Sequence, residues 1–185
     1  MNLIEAKNIL DEKFSFNADF LYKVVKELGL KGSAKILDIG TGFGIMSMIL
    51  ALQGYHVITG EPEGHNWADW RENAKKISVE DLITFEFFRA EDLPFESNAF
   101  NALFCHTSLH HISDKFSALK EFLRVTTENG LIIIFELTPE GVHVVRQRMP
   151  SHPEAINPDD FTKNLSVIKK VKKSKYLNAF IYKKE

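Results

Sequence analysis

Hydrophobic residues along this chain form short continuous runs that alternate with stretches of helical spacing. The runs predict five strands, at 35–39, 55–59, 83–88, 102–105 and 131–135. Between them, apolar residues three and four apart predict helices at 45–52, at 66–77 and after Ser113, which can act as a helix cap. Strands that alternate with helices indicate βαβ units, and therefore an α/β fold with a mostly parallel sheet.

The two ends of the chain depart from this alternation. Residues 1–33 predict two helices, a short one at 2–13 and a second one that Asn17 caps and Gly29 ends. Near the C-terminus, apolar segments at 165–171 and 176–182 are separated by only four residues. Because a gap that short permits only an antiparallel hairpin, we expect the sheet to end in an antiparallel pair within 165–183.

A long connection at 138–164 precedes this hairpin and contains four prolines. It predicts a helix near 141–148 and then a short helical turn, with Asn157 as its cap and Pro158 at its first position. Connections of this length in compact domains are usually functional. We therefore expect this insertion to lie on the substrate side of the protein.

Composition and charge narrow the class of protein. The chain has 185 residues, which fits a single domain, 1–185, and its 23 Lys and Arg against 25 Asp and Glu argue against general nucleic-acid binding. One cysteine excludes an intrachain disulfide, and no apolar run approaches the length of a membrane span. The sequence shows no signal peptide, so a cytoplasmic location is expected.

Lysines are concentrated in the predicted hairpin, since residues 163–185 hold eight lysines and one acid. Such a segment could bind phosphate-rich partners. Charged edge strands also prevent sheet-to-sheet association, and no exposed aromatic residues interleave with these lysines. The composition therefore favours a solvated edge and disfavours nucleic acid as a partner.

The most informative segment reads ILDIGTGFG and places an acid before three glycines. Asp38 ends the first predicted strand, and Gly40, Gly42 and Gly44 follow in a G-x-G-x-G spacing that differs from the dinucleotide fingerprint. Glu61 lies 21 residues after Gly40, at the end of the second strand, where an acid can hold ribose hydroxyls. Since a carboxylate beside the loop favours a cation, the pattern indicates a ligand with a ribose, no pyrophosphate and a positive group.

These residues resemble class I S-adenosylmethionine-dependent methyltransferases, in the small-molecule branch that includes the methyltransferase type 11-like proteins. The resemblance covers about 34–136 and is carried by ILDIGTGFG, Glu61, AEDLPF at 90–95, FNALFCHTSLHHI at 100–112, and ALKEFLRV with ENG at 118–130. It implies a Rossmann-like, doubly wound sheet of seven strands whose last two form the hairpin. It also implies that the N-terminal segment can close over the cofactor as a lid.

The resemblance implies roles for particular residues. The region of Asp38 and Gly40 would meet the methionine end of S-adenosylmethionine, Glu61 the ribose, and 90–92 the adenine, while Cys105 and His106 would face the methyl group. The full set of implied cofactor-binding residues is Asp38, Gly40, Thr41, Gly42, Phe43, Gly44, Glu61, Pro62, Ala90, Glu91, Asp92, Cys105 and His106. One departure is Arg89, which stands where the family usually has an acid for the adenine amino group.

Histidines supply the candidate catalytic groups. His106 stands where the family usually has a small residue, and His110 follows four residues later. An imidazole there could take a proton from a hydroxyl, amine or thiol acceptor. The alternative is that His110 and His111 belong to the family's usual Leu-His-His segment and shape the site.

Two further features have competing interpretations. A set of possible ligands could assemble a zinc, iron or manganese site, namely His106, His110, Glu136, His143 and His152. Their spacing matches no metal motif, so no metal site is predicted. Trp67 and Trp70 lie three apart on a predicted helix, where core packing is favoured over a platform for substrate.

Three functions remain in view. The first is methyl transfer from S-adenosylmethionine, with release of S-adenosylhomocysteine, to a small-molecule acceptor. The second is a methyltransferase-like module that holds the cofactor or a partner without turnover. The third is a nucleic-acid methyltransferase that uses the basic hairpin. The oligomeric state and the acceptor atom are left open by the sequence.

Overall fold

A computed structural model describes residues 1–64, 69–163, 165 and 167–184. The chain has seven strands, mostly parallel and with an antiparallel pair at the C-terminal end, which confirms the predicted Rossmann-like α/β fold class. Contacts group the chain into two compact units, Met1–Phe88 and Arg89–Glu185, which are described in turn. The predicted single domain over 1–185 stays a prediction. Within the described residues, no helix is long and apolar enough to cross a bilayer.

The first unit holds three parallel strands in the order β3-β2-β1. Its elements are α1 (Leu3–Ile9), α2 (Glu12–Leu28), β1 (Ile36–Ile39), α3 (Ile45–Ala51), β2 (Val57–Glu61), α4 (Trp70–Lys76) and, after a 3-10 turn, β3 (Ile83–Phe87). All four residues of β1 are buried, as expected for a parallel strand with an apolar run. Since β1 and β2 are parallel, their carboxyl ends meet at one edge, where Asp38 pairs with Thr59.

The second unit holds four strands in the order β4-β5-β7-β6. Its elements are β4 (Phe100–His106), a 3-10 turn (Leu109–His111), α5 (Lys115–Val125), β5 (Thr126–Leu137), α6 (Pro139–Arg146), α7 (Asp159–Thr162), β6 (Val167–Lys173) and β7 (Leu177–Lys184). Strand β4 runs parallel to β5, while β7 is antiparallel to both β5 and β6. The predicted hairpin is therefore confirmed, with strands that begin one or two residues later than expected.

The core of the second unit is built on β5. Its segment from Ile132 to Phe135 is almost completely buried, and α5 adds the buried side chains of Leu119 and Phe122. Each large apolar side chain of this kind contributes roughly 1.5–3 kcal/mol when it leaves water. The continuous apolar run in the sequence is thus explained by burial on both faces of the strand.

Three helix N-caps differ from the sequence prediction. Helix α2 begins at Glu12, because Asp11 caps it by accepting hydrogen bonds from the amides of Lys13 and Phe14, at 3.0 and 3.2 Å. Asn17 therefore lies inside the helix, and its prediction as a cap is wrong. The predicted end is confirmed, since Gly29 adopts a left-handed conformation with φ of 62°.

The other cap predictions were wrong by one position. Asp114, not Ser113, caps α5, and its carboxylate accepts the amide of Ser117 at 3.0 Å. A charged acceptor at this position also interacts favourably with the helix dipole. In the long connection, Pro158 itself is the cap of α7, and the Asn157 side chain accepts a hydrogen bond from the amide of Asp159 at 3.1 Å. The helix predicted near 141–148 is α6, which begins two residues earlier.

Candidate functional site

The glycine loop after β1 has a backbone that only glycine adopts easily. Gly40, Gly42 and Gly44 have φ angles of 81°, 49° and 72°. The turn is closed by a 2.7 Å hydrogen bond from the Gly44 amide to the carbonyl of Thr41. A Cβ added at Gly42 would meet nothing within 4 Å, so space lies beside the backbone there. Such a loop allows a ligand to approach the main chain closely.

Asp38 is a completely buried acid beneath this loop. Its Oδ2 accepts hydrogen bonds from the hydroxyls of Ser47, at 2.5 Å, and Thr59, at 3.0 Å. Its Oδ1 is buried and has no hydrogen-bond partner. Burial raises the pKa of Asp38 to about 7, although the two hydroxyls oppose the shift and the charge of Glu61 adds to it. A cation near this carboxyl would stabilise its ionised form.

Glu61 ends β2 and reaches back to the same loop. Its Oε1 accepts a hydrogen bond of 2.6 Å from the Gly42 amide. The preceding Gly60 has no room for a side chain, because an added Cβ would lie 2.2 Å from the carbonyl oxygen of Glu86. The loop also touches the start of α2, where the ammonium group of Lys13 lies 4.5 Å from the centre of the Phe43 ring.

The donor set of the first unit therefore fits the ligand that the sequence indicates. It offers a buried carboxyl oxygen without a partner for a positive group, a carboxylate at a strand end for paired hydroxyls, and a glycine backbone. Pro62 follows β2 directly and is partly buried. The structure thus brings together the predicted residues from 38 to 62, while their binding roles remain predictions.

In the second unit, the AEDLPF segment is held by charged pairs. Arg89 lies 3.6 Å from the carboxylate of Glu91, between guanidinium nitrogen and oxygen. The amide of Asp92 donates to the carbonyl of Arg89, and Ala90 is buried. Arg89, which departs from the family pattern, thus forms an ion pair with the nearby acid Glu91. This leaves Asp92 and the backbone as the freer groups for an adenine contact.

Arg124 of α5 holds the end of the same segment through hydrogen bonds. The sequence did not indicate it as a candidate residue. Its guanidinium donates to the carbonyls of Phe95, at 2.7 Å, and Leu93, at 2.9 Å. It also pairs with Glu121, whose carboxylate accepts the Leu93 amide at 2.8 Å. The i, i+3 spacing of the two charged residues in ALKEFLRV was the signal that could have indicated this clamp.

Cys105 and His106 lie at the carboxyl end of β4, as predicted. Cys105 is completely buried, and the Nε2 atom of His106 is buried without a hydrogen-bond partner. Burial lowers the pKa of His106 to about 4, and the neighbouring His110 adds to the effect. The imidazole is therefore uncharged at neutral pH, the form in which it can accept a proton.

His110 is hydrogen-bonded to Glu136, an acid that the sequence indicated only as a possible metal ligand. Its Nδ1 lies 2.7 Å from Oε2 of Glu136, and its amide donates to Oε1 of the same residue at 3.3 Å. The side chains of His110 and Glu136 are only 2% and 1% exposed. The Nε2 atom of His110 is buried and without a partner.

His111 and His152 complete a cluster with His110. The possible ligand atoms of the three side chains all lie within 4.8 Å of one another, and in the described part of the chain no other group of this kind occurs. His106 and His143, which the sequence considered as further ligands, do not belong to it. Burial together with the charges of His110, His152 and Lys115 lowers the pKa of His111 to about 4.

The two tryptophans of the predicted helix have different outcomes. Trp67 lies outside the described residues, while Trp70 is buried, as core packing requires.

Comparison with known proteins decides the family. A family described as "Methyltransferase domain" matches residues 37–134, which is more than half of the chain. The chain belongs to this methyltransferase family. The match includes the glycine loop, Glu61 and the end of β4, and it confirms the resemblance that these motifs indicate.

Relatives of this methyltransferase domain include a demethylmenaquinone methyltransferase from Clavibacter sepedonicus. It is 30% identical over 129 residues, which cover 67% of the chain and 49% of the relative. The chain thus spans about half the length of the curated relatives it matches. A crystal structure of the PH0226 protein from Pyrococcus horikoshii is similar in fold, with a TM-score of 0.78, 18% identity, and coverage of 96% of the chain and 94% of that protein.

The same fold also occurs in a protein with another named activity. The [4+2]-cyclase SpnF is 26% identical to the methyltransferase domain over 65% of the chain and 45% of its own length, with a TM-score of 0.58. Fold alone therefore does not fix the reaction, which has to be argued from the site.

Proposed function

We propose that this methyltransferase domain binds S-adenosylmethionine and transfers a methyl group to a small-molecule acceptor. The observation that carries the proposal is the acid pair around the glycine loop: buried Asp38, with one oxygen unpartnered, and Glu61 at the next strand end. When bound, S-adenosylmethionine supplies a methyl group on a positively charged sulfur. The two acids match the cation and the ribose of this cofactor.

Each residue then has a role that follows from its chemistry. Asp38 favours the positively charged methionine end, because its buried carboxyl gains most from a nearby cation. Glu61 accepts hydrogen bonds from the ribose hydroxyls, and charged acceptors make such bonds about twice as strong as neutral ones. The segment 90–92 holds the adenine. The start of α2 acts as a lid, which is supported by the contact between Lys13 and Phe43.

On the acceptor side, His106 is the favoured catalytic group. Its Nε2 is buried and unpartnered at the carboxyl end of β4, whereas Nδ1 of His110 is already bound to Glu136. An unpartnered imidazole nitrogen can accept a hydrogen from an acceptor hydroxyl, amine or thiol and orient it for attack. His110 was predicted as a second catalytic residue, and its bond to Glu136 favours a supporting role.

The acceptor is proposed to be a small molecule of the quinone class. This is supported by the curated relatives named as demethylmenaquinone methyltransferases. We expect a cytoplasmic location for such an enzyme. We also expect the lysines of β6 to face solvent at the edge of the sheet and not to bind nucleic acid.

The experiment is a calorimetric titration with S-adenosylmethionine and S-adenosylhomocysteine, followed by transfer of labelled methyl to a panel of hydroquinones, phenols, amines and thiols. Wild type should bind both nucleosides in the micromolar range, about −8 kcal/mol. Glu61→Ala should lose most of this affinity, while the matched control Glu63→Ala, at an exposed acid two residues later, should keep it.

The outcomes separate the alternatives. Absence of binding by wild type would overturn the proposal. Binding without turnover on any acceptor would favour a module that holds the cofactor, and methylation of RNA or DNA that weakens steeply with salt would favour a nucleic-acid enzyme.

A further inference from the structure

Three histidines of the second unit form a cluster whose possible ligand atoms all lie within 4.8 Å of one another. His110 and His111 belong to the 3-10 turn after β4, and His152 lies in the connection after α6. The ring centres are 4.2 Å apart for His110 and His111 and 4.8 Å apart for His110 and His152. We propose that His110, His111 and His152 together bind one divalent transition-metal ion of the zinc type.

His110 is oriented as a metal ligand. The hydrogen bond of 2.7 Å between its Nδ1 and the Glu136 carboxylate fixes the ring and leaves Nε2 as the ligating atom. That Nε2 is buried without a partner, an arrangement that destabilises the fold unless something binds there. Histidines that ligate metals almost always donate their other nitrogen to a carboxylate, a carbonyl or water, and Glu136 supplies such a carboxylate.

His152 shows the same arrangement with a backbone acceptor. Its Nδ1 lies 2.9 Å from the carbonyl oxygen of Pro153, so its Nε2 is left for a ligand. The loop itself is fixed, because Arg146 donates to the carbonyl of His152 at 2.8 Å and pairs with Glu154 at 2.7 Å. Two of the three rings are therefore held by hydrogen bonds on their far nitrogens, which simple packing of aromatic rings would not require.

The size of the cluster suits a single ion after a small contraction. Zinc binds imidazole nitrogen at about 2.0–2.1 Å, so tetrahedral ligands lie about 3.4 Å from one another. The ligand atoms here lie within 4.8 Å, and His111 is the exposed member of the three, so the contraction is expected to move its ring. Three imidazoles leave one coordination position open, which suits an oxygen or sulfur ligand of a small molecule.

The test is equilibrium dialysis of the untagged full chain against Zn²⁺, in the absence of any nucleoside, with Co²⁺ as a spectroscopic probe. Wild type should bind one equivalent of Zn²⁺ and show the intense visible bands of tetrahedral Co²⁺. His111→Ala and His152→Ala should each weaken Zn²⁺ binding at least 100-fold. His56→Ala and His143→Ala, at exposed histidines outside the cluster, should bind as wild type does, within about two-fold.

Glu136→Gln tests the carboxylate as a positioning residue. We expect a 10- to 100-fold loss of Zn²⁺ affinity and a shift of the Co²⁺ bands, because outer partners of ligating histidines have effects of this size. The exposed position of His111 keeps the test independent of folding, since its replacement leaves the core intact. Equal Zn²⁺ affinity of wild type and His111→Ala, or no stoichiometric binding by wild type, would overturn the proposal.

Discussion

The Oε1 atom of Glu61 lies 2.6 Å from the backbone nitrogen of Gly42, so the end of β2 is tied directly to the glycine loop. This bond places the carboxylate where the sequence pattern expects a ribose contact. The carboxylate and the loop are thus joined by a charge-assisted hydrogen bond, which is about twice as strong as a neutral one.

The ribose contact of Glu61 can be isolated by a double-mutant cycle. Glu61→Gln keeps the shape and the Gly42 bond but removes the charge, so affinity for S-adenosylhomocysteine should fall about 10-fold, or 1.4 kcal/mol. The 2′-deoxy analogue should lose little further affinity in the variant, although it binds wild type more weakly. Calorimetry on the four combinations gives the coupling. Additive losses would show that Glu61 does not contact the ribose.

The buried acid Asp38 should make stability depend on pH. Its folded pKa of about 7 exceeds the ordinary value of 3.8, so between these values the folded state holds a proton that the unfolded chain has released. The free energy of unfolding should therefore fall as pH rises from about 4 to 7, by on the order of 3 kcal/mol from this group. Urea denaturation of the ligand-free protein across this range measures the slope. Asp38→Asn should remove it, and Asp81→Asn, at an exposed acid, should not.

Gly44 is a loop position with no room for a side chain. Its φ is 72°, and an added Cβ would lie 2.8 Å from Cβ of Trp70. Gly44→Ala should therefore destabilise the fold by roughly 2 kcal/mol or more, from the left-handed conformation together with the clash. Gly32→Ala is the matched control, because nothing lies within 4 Å and its φ is not positive. A comparison of melting temperatures tests this, and equal values for the two variants would contradict the expectation.

Removal of the Arg124 clamp should loosen residues 93–95, which directly follow the segment 90–92 that is proposed to hold the adenine. Arg124→Lys keeps the charge but loses the planar fork in which Nη1 donates to the carbonyl of Phe95 and Nη2 to that of Leu93. We expect a loss of about 1–2 kcal/mol in unfolding free energy and faster exchange of the amides of Leu93 and Phe95. Lys120→Ala, at an exposed residue of the same helix, should change neither. Unaltered exchange at Leu93 and Phe95 in the Lys variant would argue against the clamp.

The proposed role of His106 predicts a split between turnover and binding. His106→Asn should lower kcat at least 100-fold, in line with the usual contribution of a general base. Affinity for S-adenosylmethionine should stay within about three-fold. His143→Asn serves as the control, since His143 is exposed on α6. If kcat is retained in His106→Asn, the imidazole does not act on the acceptor.

Hydrophobic patterning was sufficient to predict most of the fold, because the buried strands carry continuous apolar runs. Both β5 and the C-terminal hairpin follow from such runs and from the length of the gap between them. Helix caps were harder to predict, because several polar residues near the start of a helix can each cap it. For α2, the cap is Asp11 and not Asn17, because Asp11 lies closer to the preceding helix and its side chain accepts hydrogen bonds from two backbone amides.

The candidate residues of the two units differed in how far they could be predicted from the sequence. Asp38 and Glu61 follow from local rules, since each ends a strand beside a turn. The histidine cluster does not, because His152 comes from a distant loop and His111 carries no pattern of its own. Arg124 likewise acts through carbonyls of a segment far away in the chain. Only folding brings these groups together.

Strand β5 carries an acid where its neighbours are almost all apolar. Glu136 is 1% exposed and follows the buried run that ends in Phe135. Replacing a buried charged pair with apolar side chains is often neutral or stabilising. Selection for stability alone would therefore favour an aliphatic residue at position 136, with another at 110. We therefore expect variants selected only for thermal resistance to lose the His110 and Glu136 pair early. Such variants would keep the fold but would no longer bind the ligand of the histidine cluster.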